Sequence, residues 1–208
     1  MSLARKISAA NRNRKWDIFL REISPNAKLR VLDVGFSENE YSPTDNYIEK
    51  YYPYPEMLTA LGVNTPNVFK ERYPKVKAFQ YDGAVFPFGD KEFDVCWSNA
   101  VIEHVGNFDR QQFFLSEIKR VASKAFLTTP NSFFPIEVHT RTPLLHYLPK
   151  GIFDSYLKLI GKSWAAGTYM NLLSITDIKD LLAGAGIKDY RIIPNKLLGF
   201  TMDFIIIF

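Results

Sequence analysis

The chain has 208 residues, 26 of them Lys or Arg and 22 Asp or Glu, giving a net charge of +4, with 47% hydrophobic and 15% aromatic residues. This balance excludes intrinsic disorder, collagen and coiled coil, and the length fits one domain, 1–208, with room for a small appendage. A single cysteine, Cys96, excludes a disulfide-built scaffold and a Cys-rich zinc site, so the expected setting is reducing and cytoplasmic.

Residues 13–23 place Trp16, Phe19, Leu20 and Ile23 three or four apart, the apolar stripe of an amphipathic helix that stops at Ser24-Pro25. Arg12, Arg14 and Lys15, with Arg5 and Lys6, form the densest basic run. That run is either a solvated helix face or a contact for phosphates or an anionic membrane surface. LRVLDVG (29–35) is short, β-branched and apolar until Asp33, as a strand buried on both faces of a parallel sheet would be. A polar, tyrosine-rich connector (36–55), with a short helix near 46–52, leads to a second strand at 57–63.

The third and fourth strands are expected at 76–81 and 93–98, and Cys96, in the middle of the latter, reads as an inert buried thiol. Before a fifth strand at 125–129 lies a helix with Asp109 and Gln112 at capping-box spacing and with Phe113, Leu115, Ile118 and Val121 for the core. The strand, helix, strand order predicts right-handed crossovers. Residues 130–173, rich in proline and aromatics with helical patterns near 142–148 and 152–161, read as a cap inserted after the fifth strand. Its apolar side chains make either the cap's own core or a surface for a lipid-linked or aromatic acceptor. In SITDIKDLLAGAGI, Ser174 or Thr176 caps a helix that ends at Gly184 or Gly186. The runs 190–194 and 201–208, joined by a turn at Gly199, close the sheet as a hairpin.

This order, with VLDVG, YDGAVFPFGDKEFDVCWSNAVIEHV (81–105) and the helix and strand ending in LTTPN, resembles a class I S-adenosylmethionine-dependent methyltransferase over 29–129 and, weakly, over 174–208. The resemblance implies an α/β fold: a Rossmann-like seven-stranded, mostly parallel sheet with helices on both faces and a small helical cap insertion. In such sheets ligands sit outside the carboxyl ends of the strands, where the strand order reverses. By the resemblance, Asp33 and Gly35 meet the methionine part of the cofactor, S-adenosylmethionine. Asp82 and Gly83 meet the adenine, and Ser98, Asn99 and Ala100 lie beneath the methionine moiety, with Val101, Ile102 and His104 flanking the cofactor.

Two positions depart from the family pattern. The glycine-rich loop is here GFSENEYS, in which Ser37 stands in for a glycine and Glu38 has no evident place. Where the family carries an acid for the ribose hydroxyls this chain has Gly62, with Asn64 two residues on. Loss of a charge-assisted pair costs about 1–3 kcal/mol. A non-catalytic, methyltransferase-like binding module that has lost the cofactor is therefore the alternative to an enzyme.

Methyl transfer is an in-line displacement that needs placement more than chemical groups, but a hydroxyl acceptor gains from a general base. The candidates are His104, which either has Glu103 beside it to orient the ring or only packs near the cofactor, and His139. Glu137, His139 and Arg141 point one way if their stretch is extended, and with His146 form either an acceptor site or a salt-bridged anchor for the cap. The tract FFPIEVHTRTPLLHYLP is similar to methyltransferase-like proteins associated with polysaccharide biosynthesis, which implies a small or lipid-linked acceptor, probed first at oxygen.

Nucleic acid is not expected as a partner, since Ser98-Asn99-Ala100-Val101 lacks the Pro-Pro-aromatic tetrapeptide of base methylation and no basic stripe interleaves with aromatics. No metal is expected either, because His139 and His146 do not have a helical metal-ligand spacing. No run reaches the roughly 18 apolar residues of a spanning helix, and the first fifteen residues lack the apolar stretch of a secretion signal. Peripheral membrane contact stays open, as does the oligomeric state.

Overall fold

The computed structural model describes residues 3–167 and 170–208. In chain order the elements are α1 (Leu3–Ile23), β1 (Val31–Val34), α2 (Tyr47–Tyr51), β2 (Leu58–Gly62), α3 (Asn67–Arg72), β3 (Lys77–Gln80), β4 (Phe93–Asn99), α4 (Phe108–Val121), β5 (Ala122–Pro130), β6 (Ile136–Glu137), β7 (Thr142–Pro143), α5 (Lys150–Leu159), α6 (Ile175–Gly184), β8 (Arg191–Leu197) and β9 (Phe200–Ile207). Seven strands make one sheet in the order β3-β2-β1-β4-β5-β9-β8, and β6 and β7 make a separate hairpin. The expected α/β class and seven-stranded, mostly parallel sheet are found.

Two compact units can be distinguished: Met1–Asn99 with Glu117–Phe126, and Ala100–Ser116 with Leu127–Phe208. In the first, β1 pairs in parallel with both β2 and β4, and β2 with β3. All four residues of β1 and all five of β2 are buried, which is why both read as nearly continuous apolar runs. The stripe of α1 contributes Trp16 and Phe19 to an aromatic cluster: Phe19 meets Trp97 of β4 edge-on at 4.9 Å, and Trp97 stacks on Phe126 at 5.1 Å. Cys96 is fully buried and its thiol is pushed up by burial and by nearby Asp33, the inert state expected of it.

Several sequence expectations are corrected. Helix α1 runs from Leu3, not from residue 13. The basic run is not one solvated face: Lys15 is buried and Arg12 lies over the Tyr47 ring at 6.0 Å, while Arg14 is exposed and the Arg5 side chain falls outside the described ones. At the start of α4 it is Asn107, not Asp109, whose side-chain oxygen accepts from the Arg110 N–H, because a cap must precede the first helical residue.

In the second unit, β8 and β9 form the expected antiparallel hairpin, turning through Leu198 (φ 50°) and Gly199 (φ 86°). Ser174, rather than Thr176, caps α6 in a full capping box with Asp177. The pattern at 142–148 is not a helix but the strand β7 followed by a short 3-10 turn, Leu145–Tyr147. Phe153, Leu157, Ala165 and Met170 form a small core of their own, with Leu145 and Tyr156 against it, while Phe133, Leu144, Tyr147, Leu148 and Ile160 are exposed.

Candidate functional site

The order of the sheet reverses at β1, which lies between β2 and β4 in the first unit, and the residues following the parallel strands gather at their carboxyl ends. Asp33 is the third residue of β1 and is buried beside Trp97 of β4. Burial and the neighbouring Glu49 push its carboxyl well above the ordinary range, against a smaller pull from Arg12. Glu49 of α2 is equally buried and is raised to about 7 chiefly by burial, with a hydrogen bond to Asp33 acting the other way. Two buried carboxyls that face each other cannot both ionise cheaply, so the pair shares a proton over much of the pH range. No motif marks Glu49. The only signal is its place beside Ile48 on the inward side of a short helix.

The loop after β1 accounts for both departures from the family pattern. Gly35, at φ 109°, donates its N–H to Leu61 O at 2.8 Å, a conformation that favours glycine. Phe36 then turns into the core against Phe69, with ring centroids 4.5 Å apart. Its ring occupies the space above Gly62, where a Cβ would lie 2.6 Å from Phe36 Cε1. Gly62 is thus a glycine because Phe36 is a phenylalanine. The Ser37 N–H is engaged by Asn46 Oδ1 at 2.7 Å, and the Asn46 amide returns a bond to Ser37 O at 2.8 Å. Glu38 accepts from Val68 N and Phe69 N at 2.7 and 3.1 Å, tying the loop to the first turn of α3. The loop is a packed brace rather than an open cradle.

At the end of β3, Asp82 is exposed, and one of its oxygens accepts from Ala84 N at 2.9 Å, with Gly83 at φ 83° completing the turn. The segment that follows is held by Arg120, which donates to Phe88 O and Phe86 O at 2.7 and 3.0 Å and pairs with Glu117 and Asp90. The Arg120 guanidinium holds the Glu117 carboxyl below its usual range, and Glu117 in turn accepts from Phe86 N at 2.7 Å. At the end of β4, Ser98 Oγ donates to Val34 O at 3.2 Å, and Asn99 is half-buried. Ala100, which opens the second unit, sits at φ 57°, an uncommon conformation for a residue with a Cβ.

The second unit brings together both candidate bases. His104 Nε2 and His139 Nε2 lie 3.3 Å apart. His139 Nδ1 meets Glu137 Oε1 at 2.8 Å, and Glu137 also accepts from the backbone N–H groups of His139 and Thr140 and from the Thr140 hydroxyl. Burial opposes ionisation of Glu137, but these donors and the His139 charge prevail and hold it at about 2. Glu103, with no exposed surface, faces His139 at 3.6 Å rather than orienting His104, and its other oxygen accepts from Thr129 Oγ1 at 3.0 Å. Thr129 carried no signal in the sequence beyond its place in LTTPN.

The stretch 137–141 is not extended. It is the turn between β6 and β7, so Glu137 and His139 meet through a tight turn, and Arg141, at φ 56°, is exposed instead of pointing with them. His146 is apart from this cluster. Its two ring nitrogens are buried without partners beside a cavity of about 210 Å³ lined also by Lys150, Phe153, Asp154 and Met170.

Residues 43–125 match the family model described as a methyltransferase domain. Among solved structures, the chain is similar to the CurJ carbon methyltransferase, with a TM-score of 0.60 and 15% identity over 95% of this chain and 53% of that one. It is also similar to an S-adenosylmethionine-dependent methyltransferase from Aquifex aeolicus, with a TM-score of 0.56 and 17% identity over 92% and 87% of the two chains. A third is the 1,6-didemethyltoxoflavin-N1-methyltransferase of Burkholderia thailandensis, solved with its substrate and S-adenosylhomocysteine, with a TM-score of 0.59 and 14% identity over 95% and 77%. The chain thus spans about half the length of the first of these. Compared by sequence, no curated protein matches it. No described helix is long and apolar enough to cross a membrane. These likenesses show the shared fold, and the domain match lies over its first half.

Proposed function

We propose that the chain transfers the methyl group of S-adenosylmethionine to an oxygen of a small or lipid-linked acceptor, such as a glycan precursor. The observation that carries the reading is the buried Asp33–Glu49 pair at the carboxyl end of β1, the place where a parallel sheet reverses its order. The cofactor bears an α-ammonium and a sulfonium, and a carboxyl pair short of positive partners is the complement of such a ligand. Asp82 and Gly83 are assigned to the adenine end, and Ser98, Asn99 and Ala100 to the floor of the site. Gly35 supplies close approach of the backbone. Ser37 and Gly62 remain assigned to the cofactor loop, where they act through its shape.

In the reaction the acceptor oxygen forms a bond to the methyl carbon as the carbon–sulfur bond breaks. The electron pair goes to sulfur, leaving S-adenosylhomocysteine, and the hydroxyl proton passes to a ring nitrogen of the His104–His139 pair and from there to solvent. Oxygen is favoured because the His104–His139 pair, braced by Glu137, suits management of that proton. Carbon and nitrogen acceptors are named for the CurJ and Burkholderia enzymes, so the fold itself does not select the atom. Glu137 positions His139, and Arg141 and His146 are assigned to the acceptor, His146 through the cavity beside it.

The test is calorimetric titration with S-adenosylhomocysteine, followed by methyl transfer from labelled cofactor to a panel of hydroxyl, amine and glycan acceptors. Micromolar binding and labelling of a hydroxyl compound are expected. No binding at millimolar ligand overturns the reading and returns the chain to the class of binding modules, and labelling of amines alone overturns the choice of oxygen.

A further inference from the structure

Glu103, His104 and His139 each offer one donor atom, and the three atoms lie within 4.8 Å of one another. Glu103 and His104 are adjacent in the 3-10 turn Ile102–His104, and His139 comes from the turn between β6 and β7. The two Nε2 atoms are 3.3 Å apart, and His139 Nε2 is 3.6 Å from Glu103 Oε1. With its Nδ1 held by Glu137, His139 turns Nε2 toward the other two donors. The third of them, Glu103 Oε1, is buried and has no hydrogen-bond partner. A buried carboxylate oxygen without a donor is costly unless a positive charge lies beside it.

We propose that Glu103, His104 and His139 bind a divalent transition-metal ion, with Zn²⁺ as the best geometric fit. In a tetrahedral site with metal–nitrogen bonds of about 2.0–2.1 Å, neighbouring ligand atoms are about 3.3 Å apart, against 3.3 and 3.6 Å here. Two imidazoles and a carboxylate are a borderline donor set that suits zinc and its first-row neighbours, whereas Mg²⁺ and Ca²⁺ favour oxygen throughout. Three protein ligands leave a fourth position for an oxygen ligand, as catalytic rather than structural zinc sites do.

The surrounding shell has the features of a built site. Glu137 orients His139 through Nδ1. Thr129 Oγ1 donates to Glu103 Oε2 and leaves Oε1 as the inward oxygen. The charges also balance: two neutral imidazoles and the Glu103 carboxylate leave +1 on a divalent ion, which Glu137 offsets. Sequence spacing argued against a metal because only His139 and His146 were compared. The fold pairs His139 instead with Glu103 and His104, some 35 residues away in the chain. Binding of the ion stands on this geometry alone; with both Nε2 atoms as ligands the ion would take over their part at the acceptor oxygen, and that use rests on the methyl-transfer reading.

The experiment uses tag-free full-length protein stripped with a chelator and titrated with ZnCl₂ by calorimetry, then loaded with Co²⁺ for its visible spectrum. One equivalent bound at micromolar or tighter dissociation constant and a four-coordinate Co²⁺ spectrum are expected. His139→Ala and Glu103→Gln should each lose at least about 100-fold in affinity, and Glu137→Gln, which removes only an outer support, about 10- to 100-fold. Melting curves of the stripped variants show whether each still folds, and His139→Ala, at the more exposed residue, carries the test if Glu103→Gln does not. The site is overturned if stripped wild type shows no saturable binding at millimolar Zn²⁺, or if His139→Ala binds as tightly as wild type. Titrating the same samples with S-adenosylhomocysteine separates the two proposals: that ligand without zinc refutes the metal site alone, and zinc without that ligand refutes methyl transfer alone.

Discussion

Replacing Glu49 with Gln removes one carboxyl from the buried pair beside β1 while keeping its size. Glu49 rises from the ordinary 4.5 to about 7 on folding, with burial as the main cause. A pKa raised in the folded state means that stability is complete below the unfolded value and is lost as pH rises through the folded one. For Glu49 the window runs from 4.5 to about 7, and the corresponding loss has a ceiling of about 3 kcal/mol. Glu49→Gln has no such loss. Relative to wild type it should gain up to about 3 kcal/mol, accumulating steadily from pH 4.5 to about 7 and levelling off above that. Urea unfolding of both proteins at several pH values, followed by tryptophan emission to which Trp16 and Trp97 of the same unit contribute, measures the difference directly. A stability difference that stays flat across this range would refute the claim that Glu49 is buried at a cost to its charged form.

The same variant should weaken S-adenosylhomocysteine binding at pH 8, since the ligand's ammonium loses a carboxylate; unchanged affinity would remove Glu49 from the cofactor site. Asp82→Ala should weaken that binding and leave the melting temperature nearly unchanged, because Asp82 is exposed and its one described bond is to the neighbouring turn. Gly62→Ala places a Cβ 2.6 Å from the Phe36 ring and should cost about 1–3 kcal/mol by overpacking, yet little or nothing in a Phe36→Ala background, which a double-mutant cycle in urea would reveal. Glu38→Ala strips two backbone donors of α3 of their acceptor and should cost about 0.5–2 kcal/mol, read in the same assay.

The sheet was legible in the sequence because its inner strands are buried on both faces. VLDV and LTALG carry that burial in every residue, so an apolar run delimits each strand to within a residue or two. The hairpin β8–β9 was legible for another reason: a turn with two positive φ values in succession favours glycine at one of them, and Gly199 stands there. Phe36 was not legible in this way. An aromatic residue in a loop of polar ones reveals its packing only when the partner that lacks a side chain, Gly62, is known to lie beneath it. Read by position, Gly62 was a missing acid. Read in three dimensions, it is the space that the ring of Phe36 requires.

The histidine cluster failed to show itself for a different physical reason. A helix brings residues three or four apart to one face, and a strand every second residue, so regular elements turn sequence spacing into geometry. Neither rule applies between a 3-10 turn and a hairpin turn. Glu103 and His104 are neighbours, yet as donors they join only with His139, whose place is set by the pairing of Ile136–Glu137 with Thr142–Pro143. The hairpin does two things at once, since closing it also puts the Glu137 carboxylate against the His139 Nδ1 and backbone N–H and the Thr140 N–H. The ring is therefore oriented by the bonds that make the turn, and whatever occupies the space between Nε2 and Glu103 meets a prearranged donor set. Glu137→Ala should accordingly loosen the turn and the ring together, whereas Glu137→Gln should preserve much of the turn while weakening the hold on Nδ1. If both variants reduced Zn²⁺ affinity equally, orientation of the ring through the charge on Glu137 would matter more than the hairpin itself.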